Sequence, residues 1–425
     1  MNGCKRLMAI GAVVAAALAG AVAPTSAAGP TTRWVDGDGH AGPAGCNTSG
    51  VASTTIQGAI DASHRGDTVI VCPGTYLEQV TIKGHRDGLT LASSRKFGAT
   101  IKAPTSLASA GPFGFSVLVL VDHVDFVTVR GFKVVTRTQA PCDIVGAGMA
   151  AVGSRQTAFR GNRLLAPGTS SALGGCYQLN GIVAIDSFNL SGPGARSSSV
   201  TIGFNEVRDA VNFSIGVEAD QRVVRADIVH NSVRAYFGQP PVGAAAITPA
   251  APGLAGFVGI GLLRGSRGSI RDNVIQGASS APVTGPGFYS GIYVIGSSIT
   301  PGVVNGPISV HDNIIRRVSA GILLGEARRL TVMNNRVSNA VQGVAAMAVV
   351  NSSIQHNHVA AKTAGIQVDS ASSGDSVRSN TFTGNGGTCS DLSSGSGTSG
   401  TANHWSGNTA SQASTPIGIC AAPAP

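Results

Sequence analysis

A repeat constrains this chain more than any other feature. Gly321, Gly343 and Gly365 follow one another at intervals of 22 residues, and Asn313, Asn335, Asn357 and Asn380 at 22, 22 and 23. Each unit has the same order: Gly and an aliphatic residue open a strand, a turn leads to a second strand, an Asn follows, and a third strand closes the unit. Gly365-Ile366-Gln367-Val368 leads through Ser376-Val377-Arg378-Ser379 to Asn380, and Gly321-Ile322-Leu323-Leu324 leads through Leu330-Thr331-Val332-Met333 to Asn335. The asparagine column continues upstream as Asn162, Asn205, Asn231 and Asn273 and downstream as Asn408, with Gly131 expected in the slot one turn earlier. Intervals there grow to 26, 40, 42 and 43 while the motif stays intact, so the extra residues belong to turns.

The period dictates the architecture. Strands of three to five residues alternate sides, so Ile366 and Val368 face inward and Gln367 outward. A single coil buries too little apolar surface to be stable, whereas coils stacked at about 4.8 Å form parallel sheets around a continuous Ile/Val/Leu core. Asparagines at one bend satisfy the turn amides of their neighbours. The expected fold is all-β, a single-stranded right-handed parallel β-helix of about 11 coils. It should be one domain over 29–425, capped over 29–80 and 384–425. Thr55 to Ala62 reads as a short capping helix with Ile56 and Ile60 on one face, and His404-Trp405 and a final cystine close the other end.

Residues 1–28 read as a secretory signal: Lys5 and Arg6, an apolar run from Leu7 to Val22, then a small-residue zone ending in Ala27-Ala28. No later stretch is apolar enough for a membrane span. The expected protein is therefore secreted and extracellular, and a monomer. Beyond Cys4 there are six cysteines in three sequence-local couples, which suggests the disulfides Cys46–Cys72, Cys142–Cys176 and Cys389–Cys420. The net charge of +9 falls by two, to +7, once Lys5 and Arg6 are removed. Arginine forks suit carboxylates and phosphates, which directs attention to acidic glycans or cell-wall polymers. Nucleic acid is not expected as a partner of an exported chain with 5% aromatic residues.

The opening TIQGAIDASHRGDTVIVCPGTYLEQVTI and the ending Trp405-Ser406-Gly407-Asn408 through Ile417-Gly418-Ile419-Cys420 resemble the secreted parallel β-helix repeat proteins of high-GC Gram-positive bacteria, in the pectin lyase-like superfamily. The resemblance spans nearly the whole mature chain. It implies the fold and does not choose among lyases, hydrolases, epimerases, esterases and adhesins. The catalytic signatures of pectin methylesterases, polygalacturonases, pectate lyases and alginate epimerases are missing, apart from a loose methylesterase echo in Asp143-Ile144-Val145-Gly146.

β-Helix enzymes of this kind use the outer face of the strand that opens each coil. Aligned on Gly181, Gly216, Gly259, Gly291, Gly321, Gly343 and Gly365, the outward residues there are Val183, Glu218, Gly261, Tyr293, Leu323, Ala345 and Gln367. Charges are scarce in this chain but gather in its middle coils: Glu218 and Asp220 on one strand, Asp186 one coil below and Arg264 one coil above. The long insertions fall on the same coils, as walls for a groove. Glu218, Asp220 and Asp186 are the candidate acid/base residues, with Ca2+ as the cation such carboxylates would take. Arg264, Tyr293, Glu326 and Asp369 are the candidate substrate-binding residues. A second expectation, a basic stripe of Arg316, Arg317, Arg328, Arg329 and Arg336, would suit an anionic polymer. The expected function is acting on, or binding, an extended extracellular polysaccharide. A lyase- or hydrolase-like enzyme and a non-catalytic binding or structural protein both fit the sequence.

Overall fold

The computed structural model describes residues 29–110, 115–135, 145–166, 178–186, 197–210, 212–219, 222–235, 257–277, 289–296, 307–384 and 386–422. Residues 1–28, read above as a secretory signal, Cys142, Cys176, Asp220 and most of each long insertion lie outside them.

The chain winds into a right-handed parallel β-helix. The second strands of successive coils form one 13-stranded sheet running from Thr32–Val35 to His404–Ser406, every pair parallel. Its rungs outnumber the roughly 11 expected because pairing begins at Thr32, inside the segment expected to be a cap. At about 4.8 Å per rung the rod is ~60 Å long. The opening strands, such as Val258–Arg264, Ser290–Ile295 and Ala320–Gly325, stack as a second wall. The closing strands, such as Glu206–Arg208, Ser232–Arg234 and Val274–Gln276, stack as a third. In the last coils the closing strand runs straight into the next opening strand, giving Arg336–Met347 and His358–Val368. In the first of these the left-handed backbone of Asn339, at φ +53°, makes the bend.

The core follows from the alternation. Ile260, Ile292, Ile322, Val344 and Ile366 are register partners and fully buried, as are Ile270, Val310 and Val332 of the second strands. The leading glycines occupy the corner between the closing and opening strands. A Cβ on Gly343 would sit 2.1 Å from Val359 Cγ1 and 2.3 Å from the Gly365 carbonyl oxygen, and one on Gly321 2.5 Å from the Gly343 carbonyl oxygen. The backbones of adjacent coils come too close there for any side chain.

The asparagines are superposed. Each Oδ1 of Asn205, Asn231, Asn273, Asn313, Asn335, Asn357, Asn380 and Asn408 accepts the backbone N–H of the asparagine one coil earlier, at 2.9–3.1 Å. Every one of them is at least 98% buried. The residue just before each asparagine is in the left-handed region in nearly every coil, as at Phe204, His230, Asp272, Asp312, Asn334 and His356. The slot one turn before Asn162 belongs to Phe132, not Gly131: Phe132 N donates to Asn162 Oδ1 at 3.0 Å, and Gly131 supplies the left-handed turn at φ +81°.

Both ends are closed. A helix over Ile56–Asp61, N-capped by Thr55 Oγ1, buries Ile56 and Ile60, and a small hairpin (His40–Gly42 with Gly45–Val51) is tied down by Cys46–Cys72. At the far end Cys389–Cys420 forms, and the indole of buried Trp405 donates to Asp391 Oδ2 at 2.7 Å. Disulfides of this kind persist in oxidising compartments outside the cytosol. The Cys142–Cys176 couple lies outside the described residues. Among the described residues no helix is long and apolar enough to cross a membrane.

Candidate functional site

The opening-strand face of the middle coils differs from a polar groove. Residue pairing shows that Ile215, not Val217, is level with Ile182 and Ile260. The alignment on Gly216 is thus two residues out of register. Ser214 holds the corner slot that glycine holds elsewhere. A slip of two keeps a residue on the same face, so Glu218 still points outward, but level with Ile185 and Leu263 and not with Val183 and Gly261. The outward column is mostly apolar and nearly buried. Val183, Leu263, Tyr293, Leu323 and Ala345 are all under 10% exposed, and the last four pack with Phe213 and Val258 into a cluster separate from the core. Gln367 is exposed as expected.

Within this apolar surface the charges meet. Arg264 Nη1 lies 3.1 Å from Glu218 Oε1; the arginine side chain is 6% exposed and the glutamate 28%. Asp186 is 1% exposed and accepts the Arg222 backbone N–H on Oδ2 at 2.7 Å. Their placement follows from the strand ends: Ala219 pairs with Arg264, and Ile185 with Glu218, so the three charges lie on three successive coils within one residue of the same level. Arg264 ends its strand in the left-handed region at φ +53°, which turns the chain away from the sheet. Burial pushes the Glu218 carboxyl above its ordinary range; Arg264 pulls it back and Asp186 adds to the rise. A partly accessible, reluctant carboxylate next to a cation can give and take a proton.

The remaining candidates separate from this cluster. Tyr293 is 6% exposed, its phenol pushed up by burial and then by Glu326, so it is not an open stacking platform. Glu326 is exposed, at a left-handed strand end with φ +46°. Asp369 caps a turn, its Oδ1 accepting from Ala348 N at 3.0 Å and from Ser372 Oγ at 2.7 Å. Asp220 lies outside the described residues. The arginine stripe is not a stripe. Arg316 ends a closing strand, with Arg317 just beyond it, and Arg336 starts one, whereas Arg328 and Arg329 belong to a turn on another side of the coil.

The second-strand sheet has the feature that the sequence reading missed. A concavity of about 780 Å³ lies on its outer face over Thr128, Arg130, Ala158, Arg160, Thr201, Arg225 and Asp227. A signal for it was present: Val129-Arg130-Gly131 and Phe159-Arg160-Gly161 place an arginine before the turn in consecutive coils.

Comparison with known proteins adds the following. Residues 257–416 match the family described as periplasmic copper-binding protein (NosD). The match covers part of the chain. No curated protein matches. Among solved structures, the chain is similar to the Dettilon tailspike protein, with 13% identity, a TM-score of 0.46, and coverage of 82% of this chain and 66% of that one. It is similar to the catalytic unit of an α-1,3-glucanase from Streptomyces thermodiastaticus, with 12% identity, a TM-score of 0.46, and 90% and 69% coverage. It is also similar to a polygalacturonase from Erwinia carotovora, with 12% identity, a TM-score of 0.46, and 81% and 94% coverage. These are likenesses of fold.

Proposed function

We propose that this chain is an exported β-helix protein that binds, and through Glu218 acts on, an extended extracellular polysaccharide. The observation that supports it best is the Glu218–Arg264 pair. It is a partly open carboxyl with a raised affinity for protons, 3.1 Å from a nearly buried guanidinium, midway along a rod. In that reading Glu218 shuttles the proton, burial and then Asp186 keep its affinity high, and Arg264 orients the carboxyl from beneath. The disulfides Cys46–Cys72 and Cys389–Cys420 support an exported destination, and with it the removal of residues 1–28.

A second reading, a binder without turnover, is supported by the apolar, nearly buried neighbours of Glu218, which leave it a narrow opening. The copper named in the matched family description finds little here. Among the described residues the one group of three carboxylate, imidazole or thiolate ligands is Asp36, Cys46 and Cys72, and both sulfurs are committed to a disulfide.

The test is incubation of the secreted protein with acidic and neutral glycans, with and without Ca2+, following both binding and product release. Turnover that falls at least about 100-fold in Glu218→Gln is the result expected of a proton-transfer residue. Binding with no turnover selects the second reading, and no binding to any glycan overturns both.

A further inference from the structure

The outer face of the second-strand sheet carries several exposed arginines. Thr128, Ala158, Thr201, Asp227 and Ser269 are register partners down one column. Arg130 and Arg160 are partners in the column beside it, and Ser199 and Arg225 in the column on the other side. Arg130, Arg160 and Arg225 are all exposed, and among the described residues none has a carboxylate partner. The one acid in the hollow is already engaged: Asp227 accepts from Ser269 Oγ at 2.6 Å and from Arg271 Nη2 at 3.2 Å. Between the arginines the floor is made of small residues, Ala158, Ser199 and Thr201. Beyond Arg130 and Arg160 the surface continues into a second hollow of about 360 Å³ lined by Lys96, Ser93, Ser94 and Phe204. The Phe204 ring is 58% exposed and packs against His230 with ring centroids 4.8 Å apart.

We infer that this face is a binding site for a linear polyanionic glycan, separate from the Glu218 cluster and on a different wall of the rod. The chemistry matches piece by piece. Unpaired guanidinium forks take carboxylate, sulfate or phosphate oxygens in two-pronged contacts. Threonine and serine hydroxyls give and take hydrogen bonds with sugar hydroxyls. The Phe204 ring offers a face to a pyranose ring. Arg130 and Arg225 are three rungs apart along the rod, about 14 Å, and four residues apart across the strands, about 13 Å, so a glycan that joins them crosses the sheet obliquely over about 19 Å, the length of about four sugar units. Charge attracts the chain, and the regular rungs set its register. The inference rests on the polysaccharide reading above for the class of its occupant, and on this face alone for its place.

The experiment measures binding of the secreted full chain, at physiological salt, to four probes: a polyuronate, a sulfated polysaccharide, a neutral glucan and single-stranded DNA. The proteins compared are wild type, Arg130→Gln/Arg160→Gln/Arg225→Gln, and a charge-matched control, Arg316→Gln/Arg317→Gln/Arg328→Gln, with melting temperatures taken to confirm that each is folded. The expected result is binding of the anionic glycans that falls at least tenfold in the first variant and less than twofold in the control. The preferred probe, uronate or sulfate, then identifies the anion. Equal losses in both variants reduce the effect to net charge and overturn the site. Undiminished binding in the first variant also overturns it, while leaving the polysaccharide reading standing. Binding of the neutral glucan alone overturns the anionic class, and DNA bound as tightly as the glycans overturns the glycan assignment. Absence of binding to every probe overturns this inference and the proposed function together.

Discussion

Asn335 and Asn313 are joined through a single oxygen. Asn335 Oδ1 accepts the Asn313 backbone N–H at 3.1 Å and the Asn313 side-chain amide at 2.9 Å, while Asn335 Nδ2 donates to the Val310 carbonyl at 2.9 Å and to Asn357 Oδ1 at 3.0 Å. All of this takes place out of contact with water. The side chain that turns one coil therefore also satisfies the turn of the coil before it, and the same arrangement recurs along most of the rod.

Asn335→Ala strands a buried N–H and a buried C=O, and should cost about 2–4 kcal/mol in a denaturant or thermal melt. Asn335→Asp tests the direction of the bonds. An ionised carboxylate can still accept from Asn313 but faces Val310 O and Asn357 Oδ1 with no proton to give. Its deficit should shrink at low pH, where the protonated acid can donate to one of them. A deficit independent of pH would contradict the assigned bonding.

Gly343→Ala must place a Cβ 2.1 Å from Val359 Cγ1 and 2.3 Å from a carbonyl oxygen, whereas Gly203→Ala meets nothing closer than 3.4 Å. The first should lose about 3 kcal/mol and the second stay within about 1 kcal/mol of wild type. Neither glycine has a positive φ, so the difference measures space and not backbone strain.

Asp375 is held at about 7, first by burial and then by Asp391 and Asp369, against the pull of the Ser352 N–H on its Oδ1 at 2.8 Å. An unfolded aspartate titrates near 3.9. Between those values the folded chain binds the extra proton, so stability falls as pH rises from about 4 to 7 and then levels, a loss of ~4 kcal/mol. Asp375→Asn should abolish that slope and raise the melting temperature above pH 7. Asn403, which accepts the Asp375 N–H one coil later, shows that the amide fits this turn. An unchanged pH profile of the melting temperature in the variant would refute the assignment.

Arg264→Met takes the guanidinium away from Glu218 and should cost about 3–5 kcal/mol at neutral pH. The sign follows from Glu218. Its folded affinity for protons rises further above that in the wild-type fold, so the deficit grows as pH rises past the already raised range of wild-type Glu218 and shrinks in acid. Melts at pH 5 and pH 8 distinguish this from simple loss of packing, which is indifferent to pH.

What the sequence disclosed, and what it did not, has a physical basis. Asn313, Asn335, Asn357 and Asn380 are at near-constant spacing because each must bond to the next, so the stack could be read directly. Gly321, Gly343 and Gly365 were equally legible, because a Cβ at any of these three corners would collide with the neighbouring coil. Gly216 misled because Ser214 also fits a corner and the strand Phe213–Ala219 offers two openings two residues apart. Periodicity alone cannot choose between them, though it still placed Glu218, Asp186 and Arg264 together. The cover on the opening-strand face was not legible. Leu263, Tyr293 and Leu323 alternate as outward residues do, and only the folded chain shows them buried. The second-strand hollow draws its residues from Thr128 to Ser269, and each of them alone looks like an ordinary outward strand position.

The central claim, that an extended glycan lies along this rod, is tested most directly by affinity against chain length. Titration of the protein with a graded series of anionic oligosaccharides at fixed ionic strength should show affinity climbing unit by unit and levelling near four units, as the about 19 Å between the outer arginines fills. Affinity that does not change from a monosaccharide upward, or no measurable binding at any length, would contradict it.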